Sequence, residues 1–220
     1  MRGLKYLCRR GLSGPRIIVP LILAVAMVAV VIIFHEEMNT EDYLICKMSL
    51  SFVSLIGIMM ISIFLWADVS GNRMIRSSPI SKELHTFSLP VFSSLLNMGS
   101  ILLTVVPYII FVLVTGLPVI HISDTLVAAA PVLAWCTFTV AIAVQMRWGM
   151  LILIYSYIPL MLCFFFFGDE RWAGGFGLPL WAAVLIFLGG WVLATVISFI
   201  VCRLHYYKTD FKAMQQTTPM

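Results

Sequence analysis

Ionisable side chains are scarce in this chain, and their positions decide which chemistry it can do. Asp, Glu, Lys and Arg supply 11% of the 220 residues, alongside four histidines. Catalysis or proton relay inside a bilayer needs such groups at depth, where they are costly unless used. None lies inside the long apolar runs, and His35, His85, His121 and His205 all fall at or beyond run ends. Glu36 and Glu37 are adjacent, but no second histidine is placed to share a metal with them. Ser70-Gly71 lacks the preceding glycine of a nucleophile elbow. Asp68 stands alone where a phospholipid-synthesising transferase would cluster aspartates. No G-x-x-x-x-G-K-[ST] loop is present, so the chain has no ATP site of that kind, and no cofactor of its own is expected. Cys8, Cys46, Cys136, Cys163 and Cys202 form no C-x-x-C pair and read as packing residues. The pattern argues against an enzyme. It argues equally against an ion-coupled carrier, so energy for any transport must enter from outside the spans.

The one long polar interval between apolar runs is Ala67 to Pro90, with Asp68, Arg73, Arg76, Lys82 and Glu83. Ser70-Gly71-Asn72 is a turn signal. Arg73-Met74-Ile75-Arg76 has the length of one short helical turn. Asp68 ends the preceding span at a helix C-terminus, where the dipole disfavours an anion by about 0.3–1 kcal/mol, and Arg73 or Arg76 is the natural compensation. Ser78-Pro79 reads as a helix start, with serine capping free amides and proline at the first helical position. Ile80, Leu84 and Phe87 then share a face, which predicts a helical extension leading into the next span, and Pro90 is placed to bend it.

The elements that must position this interval are membrane helices. The chain is 61% hydrophobic. Charge-free runs cover residues 17–34, 48–67, 91–120, 125–146, 148–168 and 172–202, each long enough to cross ~30 Å of hydrocarbon at ~1.5 Å per residue. They are apolar on every face, unlike the alternating segments of a barrel. The expected fold is an all-α membrane protein: six transmembrane helices forming a single transmembrane domain over residues 1–220, with no soluble domain. Twelve of the fourteen Lys and Arg fall on one face, including Arg2, Lys5, Arg9, Arg10, Arg16, Arg147 and Arg203. The positive-inside rule therefore predicts two cytoplasmic termini in a multi-pass protein of a plasma membrane. The net charge of +4 reflects this bias, and nothing marks a nucleic-acid partner. Ala24-Val25-Ala26 resembles a signal-cleavage site, but it lies mid-run, so residues 17–34 read as an uncleaved span.

Leu4, Leu7, Cys8 and Leu12 fall on one helical face opposite Arg2, Lys5 and Arg9, which suits an interfacial amphipathic helix over residues 1–15, seated among anionic lipids. Gly14-Pro15 breaks it. Pro107 and Pro159 are candidate kinks, and His121 and Asp124 read as a short outer loop. Gln145 to Gly149 forms a tight turn through Arg147 and Trp148, and residues 164–179 are either an interfacial cap or an aromatic belt with a flexible loop. Gly190, Ala194 and Ser198 make a small-residue stripe suited to close helix packing, with a looser one at Ala130, Ala134 and Ala141.

An acidic residue ending the second span, then glycine, a short helical stretch and Ser78-Pro79-Ile80-Ser81 leading into the third span is an order that resembles the type-2 permease subunits of ATP-binding-cassette transporters. Six spans, inward termini and a basic amphipathic N-terminus agree, so the resemblance covers the whole chain. It implies a coupling loop at residues 68–90 that docks on a cytoplasmic ABC ATPase, which would hold the ATP and Mg. The docking set would be Asp68, Gly71, Asn72, Arg73, Met74, Ile75, Arg76, Ser78 and Pro79, with Arg147 and Trp148 as a secondary contact. It also implies a second permease subunit and an exported peptide-like, antibiotic or lipid-like cargo. This chain departs from the family in carrying Asp68 where glutamate is commoner, and Arg73 and Arg76 where a second acidic residue is usual. A non-transporting scaffold or immunity-type protein using the same loop is the alternative.

Overall fold

The computed structural model describes residues 2–11, 75, 77–145 and 175–205, together with Ile18, Ile22, Val25, Ala26, Ala29, Val30 and Ile33. Among these residues every regular element is helical. They are α1 (Arg2–Gly11), α2 (Ser81–Glu83), a π-helical turn (Leu84–Ser88), α3 (Leu89–Thr115), α4 (Ile120–Gln145) and α5 (Leu180–His205). Three helices are long and apolar enough to cross a membrane: Ser81–Thr115, Ile120–Phe138 and Leu180–Leu204. The expected spans over 48–67 and 148–168, with Pro159, lie outside the described residues, as does the turn at 146–149.

Backbone chemistry sets the helix limits. α3 stops at Gly116, whose φ of 70° and ψ of 21° place it in the left-handed region that glycine adopts without strain. There the amides of Gly116 and Leu117 both donate to the Val112 carbonyl, closing the helix end. Pro118 follows, and its carbonyl accepts from the His121 amide at 3.1 Å to open α4. The expected outer loop at His121 and Asp124 is thus already helix, because the caps lie before it rather than at the charge. At the other end, the π-helical turn sits immediately before Pro90, which lacks the amide that an α-helical turn would need. Pro107 lies inside α3 without ending it.

Contacts fix the helix directions. Phe87 meets Phe199 edge-on at 6.0 Å, while Ser94, further along α3, meets the earlier Thr195 on α5. Asp124, early in α4, meets Phe176 just before α5, and Thr137, later in α4, meets Ser198. α4 and α5 therefore run parallel to each other and antiparallel to α3.

The helix contacts combine buried apolar residues, among them Phe92, Ile101, Val105 and Val112 of α3, with buried polar ones. On α3, Ser93, Asn97, Ser100 and Thr104 are buried, while Leu95, Leu102, Leu103 and Val106 are exposed. In water the apolar stripe would face inward; against lipid, apolar side chains face outward and small or polar ones line the helix contacts. α5 follows the same rule, with Ala194 and Ser198 buried and Leu193, Val196 and Ile197 exposed. Of the stripe predicted there, Gly190 makes no close contact, since a Cβ added to it would meet nothing within 4 Å. The described residues of the first apolar run are helical and exposed.

α1 forms as its periodicity predicts, with Leu7 buried, Leu4 and Cys8 partly so, and Lys5 and Arg9 exposed. It packs on protein as well: Gly3 lies against the π-helical turn, so close that an added Cβ would sit 2.6 Å from the Ser88 hydroxyl.

Candidate functional site

The start of the long helical rod carries the described part of the predicted coupling loop. Ile75, Ser78 and Pro79 are placed; Asp68, Gly71, Asn72, Arg73, Met74, Arg76, Arg147 and Trp148 lie outside the described residues. Ile75 is half-buried against the core, and Ser78 is brought back onto it: its amide and its hydroxyl both donate to the Ile75 carbonyl, at 3.2 and 2.5 Å. Pro79 is exposed. The sequence predicts that Ser78 caps the following helix through its side chain. Instead the hydroxyl closes the preceding turn, and the Ser78 carbonyl accepts the Ser81 amide at 3.0 Å. The hydroxyl is directed back to i−3, and α2, with Ile80 at its N-cap position, has no side-chain cap, so the cap is replaced by a turn.

From there the chain enters the rod without a break. The Leu84 amide donates to the Ile80 carbonyl at 2.9 Å, and Thr86 Oγ1 donates to the Lys82 carbonyl at 2.7 Å. His85 Nδ1 lies 2.8 Å from the Ser81 carbonyl, which only accepts, so Nδ1 carries the proton. Leu84 and Phe87 do not share a face as their spacing of three predicts: Leu84 is fully buried and Phe87 is 41% exposed. The π-helical turn takes one more residue per turn and swings the two apart.

Further along the rod is a site that sequence reasoning missed. Ser93, Asn97, Ser100 and Thr104 recur at spacings of four, three and four, and all are buried between helices. Asn97 Nδ2 donates to Thr137 Oγ1 on α4 at 3.4 Å, and Ser198 Oγ on α5 donates to the Thr137 carbonyl at 3.3 Å. Ser94 and Thr195 hydroxyls lie 2.6 Å apart. Thr195 already donates to the Trp191 carbonyl at 2.8 Å, so Ser94 is the donor of that pair. Trp191 Nε1 in turn donates to the Ser94 carbonyl at 3.4 Å. One acceptor remains over: Asn97 Oδ1 is buried and has no partner, in a residue with 0% exposure. The signal was present as polar residues at helical spacing inside an apolar run.

The opposite end of the bundle holds a buried carboxylate. Asp124 is 1% exposed, and its Oδ1 accepts the Phe176 amide at 2.9 Å. Gly175 and Gly177 have φ of 80° and 62°, which turns the backbone onto the carboxylate. The glycine-rich approach to the last span is therefore a packed cap over residues 175–179, with Phe176 and Leu178 against the core. Residues 164–174 lie outside the described part. Asp124 lies within Ile120–Phe138, a helix long and apolar enough to cross a membrane, against the expectation that no span carries a charged group.

Comparison with protein-family models, curated proteins and solved structures found no match.

Proposed function

We propose that this chain is the membrane-spanning permease subunit of an ATP-driven exporter, in a cell membrane. It would have six spans and cytoplasmic termini, with energy supplied by a separate ABC ATPase docked on the loop 68–90. The observation that carries this reading is the junction at Ser78-Pro79. A polar, basic loop with a closed turn at Ile75–Ser78 runs directly into a 35-residue helical rod, Ser81–Thr115. At ~1.5 Å per residue the rod is about 52 Å long, some 20 Å more than a bilayer core needs. A force applied at the loop therefore reaches the interior of the bundle through one continuous helix. Two such chains, or one with a related subunit, would form the pathway, with lipid around them.

The exposed surfaces of the described spans are apolar, and the buried ones combine apolar residues such as Ile101 and Leu133 with the neutral polar Ser93, Asn97, Ser100 and Thr104, which suits an amphipathic peptide-like, antibiotic or lipid-like cargo. Rapid ATP-dependent movement of a small hydrophilic ion would contradict that preference.

Co-purification with a candidate ATPase, encoded beside this chain, tests the docking role. Arg73→Glu/Arg76→Glu should weaken association and uncouple ATP hydrolysis. Intact association with unchanged hydrolysis in the double variant would remove the loop from that role.

A further inference from the structure

The polar seam between α3, α4 and α5 does more than hold helices together. Its cross-helix hydrogen bonds from Asn97, Ser198 and Trp191, at 3.4, 3.3 and 3.4 Å, are longer than the usual 2.7–3.2 Å or so for such donors. A helix interface optimised only for adhesion would leave no buried acceptor empty, since an unmet carbonyl in a dry site is expensive. Asn97 Oδ1 is such an acceptor. Its neighbours Ser93 and Thr104 turn their hydroxyls onto carbonyls of their own helix, Pro90 at 3.1 Å and Ile101 at 3.0 Å, and so do not fill it. The seam also lies along the polar face of α3: from Ser93 to Thr104 it covers about 16 Å at ~1.5 Å per residue, about half of a bilayer core.

We propose that this seam is the binding site for the polar part of the cargo, with the Asn97 side-chain carbonyl accepting a neutral hydrogen-bond donor, an amide N–H or hydroxyl, carried by an amphipathic molecule. This rests on the exporter reading and names the path within it. The chemistry follows from the lining. No Asp, Glu, Lys or Arg among the described residues lines the seam, so a charged group entering it would have no counter-charge, whereas a neutral donor would complete the vacant acceptor. Parting α3 from α4 breaks the long Asn97–Thr137 bond and opens Asn97 to the cargo. The cargo donor then fills Oδ1, which had no partner, while Nδ2 gives up only its 3.4 Å contact with Thr137, and the hydrocarbon tail of the cargo stays against apolar surface or lipid.

The test uses the full chain in lipid nanodiscs, without an ATPase, and a tritiated lauroyl-dialanine amide as probe. Its counterpart with every N–H methylated serves as comparison, and protein-free nanodiscs as blank. Wild type should bind the N–H probe about tenfold to a hundredfold tighter than the methylated one, as expected for one buried acceptor met or unmet. Asn97→Leu should bring the ratio to near one while leaving the affinity for the methylated probe unchanged. Asn97→Ala, which withdraws the carbonyl and puts no other acceptor in its place, decides the matter if the leucine variant does not fold. Equal affinity for both probes in wild type, retention no greater than the blank, or a preference that survives in the variants would overturn the proposal and leave Asn97 as a helix clamp. Because no ATPase takes part, failure of docking at Arg73 and Arg76 leaves this measurement readable. Loss of the probe preference with docking intact would sink the seam alone.

Discussion

Replacing Gly3 by alanine sets helix propensity against packing, and the structure says which wins. A Cβ at residue 3 would lie 2.6 Å from Ser88 Oγ and 3.2 Å from both Ser88 Cβ and Leu84 Cδ1. Alanine is favoured over glycine by about 0.8–1.0 kcal/mol in a helix interior. Gly3 is only the second residue of α1, where fewer helical bonds depend on it, so the gain there is smaller. Overpacking a close contact costs about 1–3 kcal/mol. Ser88 has a short side chain and cannot swing its Cβ away, so relief must come from moving α1. The expected net loss is about 0.5–2 kcal/mol, or a fall of roughly 1–8 °C in melting temperature for a chain of this size.

Two partner variants make the assignment specific. Ser88→Ala removes the 2.6 Å contact but leaves the two at 3.2 Å, and Ser88→Gly removes both Ser88 contacts and leaves only that with Leu84 Cδ1. Ser88→Ala alone should stabilise, because the hydroxyl it deletes is buried without a partner. Melting curves of single and double variants in one detergent yield a coupling free energy, expected at about 1–3 kcal/mol and larger for glycine than for alanine at position 88. A chain with Cys46, Cys136, Cys163 and Cys202 replaced by alanine reports independently: Cys8, half-buried on α1, should react faster with maleimide in the Gly3→Ala background. If Gly3→Ala raises the melting temperature whatever stands at 88, and Cys8 reactivity is unchanged, α1 does not sit on the π-helical turn and the reasoning is wrong.

Other substitutions probe the far end and the seam. Gly175→Ala forces a left-handed residue to carry a Cβ, at about 1–2 kcal/mol, and pushes that Cβ into the Asp124 carboxylate. Asp124→Ala in the same chain should recover the steric part but not the backbone part, read as partial return of the melting temperature. Asp124→Ala alone leaves the Phe176 amide without its acceptor and should cost about 1–3 kcal/mol, whereas Asp124→Asn keeps a carbonyl there and should cost less; equal losses for the two would mean the carbonyl is not what matters. Within the proposed exporter, cross-linking Asn97→Cys to Thr137→Cys should stop ATP-driven transport, and cross-linking Ser94→Cys to Thr195→Cys should inhibit it less. The reverse order would place the opening between α3 and α5.

The helical character of the chain and the face of α1 were legible because lipid and interface both select on apolar spacing, which residues such as Leu4, Leu7 and Cys8 display directly. Helix limits were less so. Reading runs as charge-free intervals put Asp124 in a loop, but the limits come from Gly116 and Pro118, and the carboxylate is satisfied by an amide 52 residues away. No local signal encodes that partner. Ser78 stood close to the helix start as predicted, yet its side chain turned backward, a choice between two local hydrogen bonds of similar strength. The seam was hidden for another reason. Ser93, Asn97, Ser100 and Thr104 are each ordinary in a membrane helix, and only their common spacing, set against exposed Leu95, Leu102 and Val106, reveals a face.

The strengths of the seam contacts bear on how a push at the loop would be used. Ser94 holds Thr195 at 2.6 Å, and that pair is backed by Thr195 on the Trp191 carbonyl at 2.8 Å. Asn97 holds Thr137 at 3.4 Å, with no second bond from its amide carbonyl. Hydrogen bonds weaken with length, so of these two contacts the one to α4 is the weaker hydrogen bond, although α3 packs more extensively on α4 than on α5. For a rod displaced at residues 75–80, the hydrogen bond that yields most readily is the one at Asn97, one turn beyond the firm contact at Ser94 and on the side where the empty acceptor lies. Within the proposed exporter, a displacement at the loop would favour the same opening that the cargo must already find in the resting chain, and no charged residue in the spans is needed to carry the force between them.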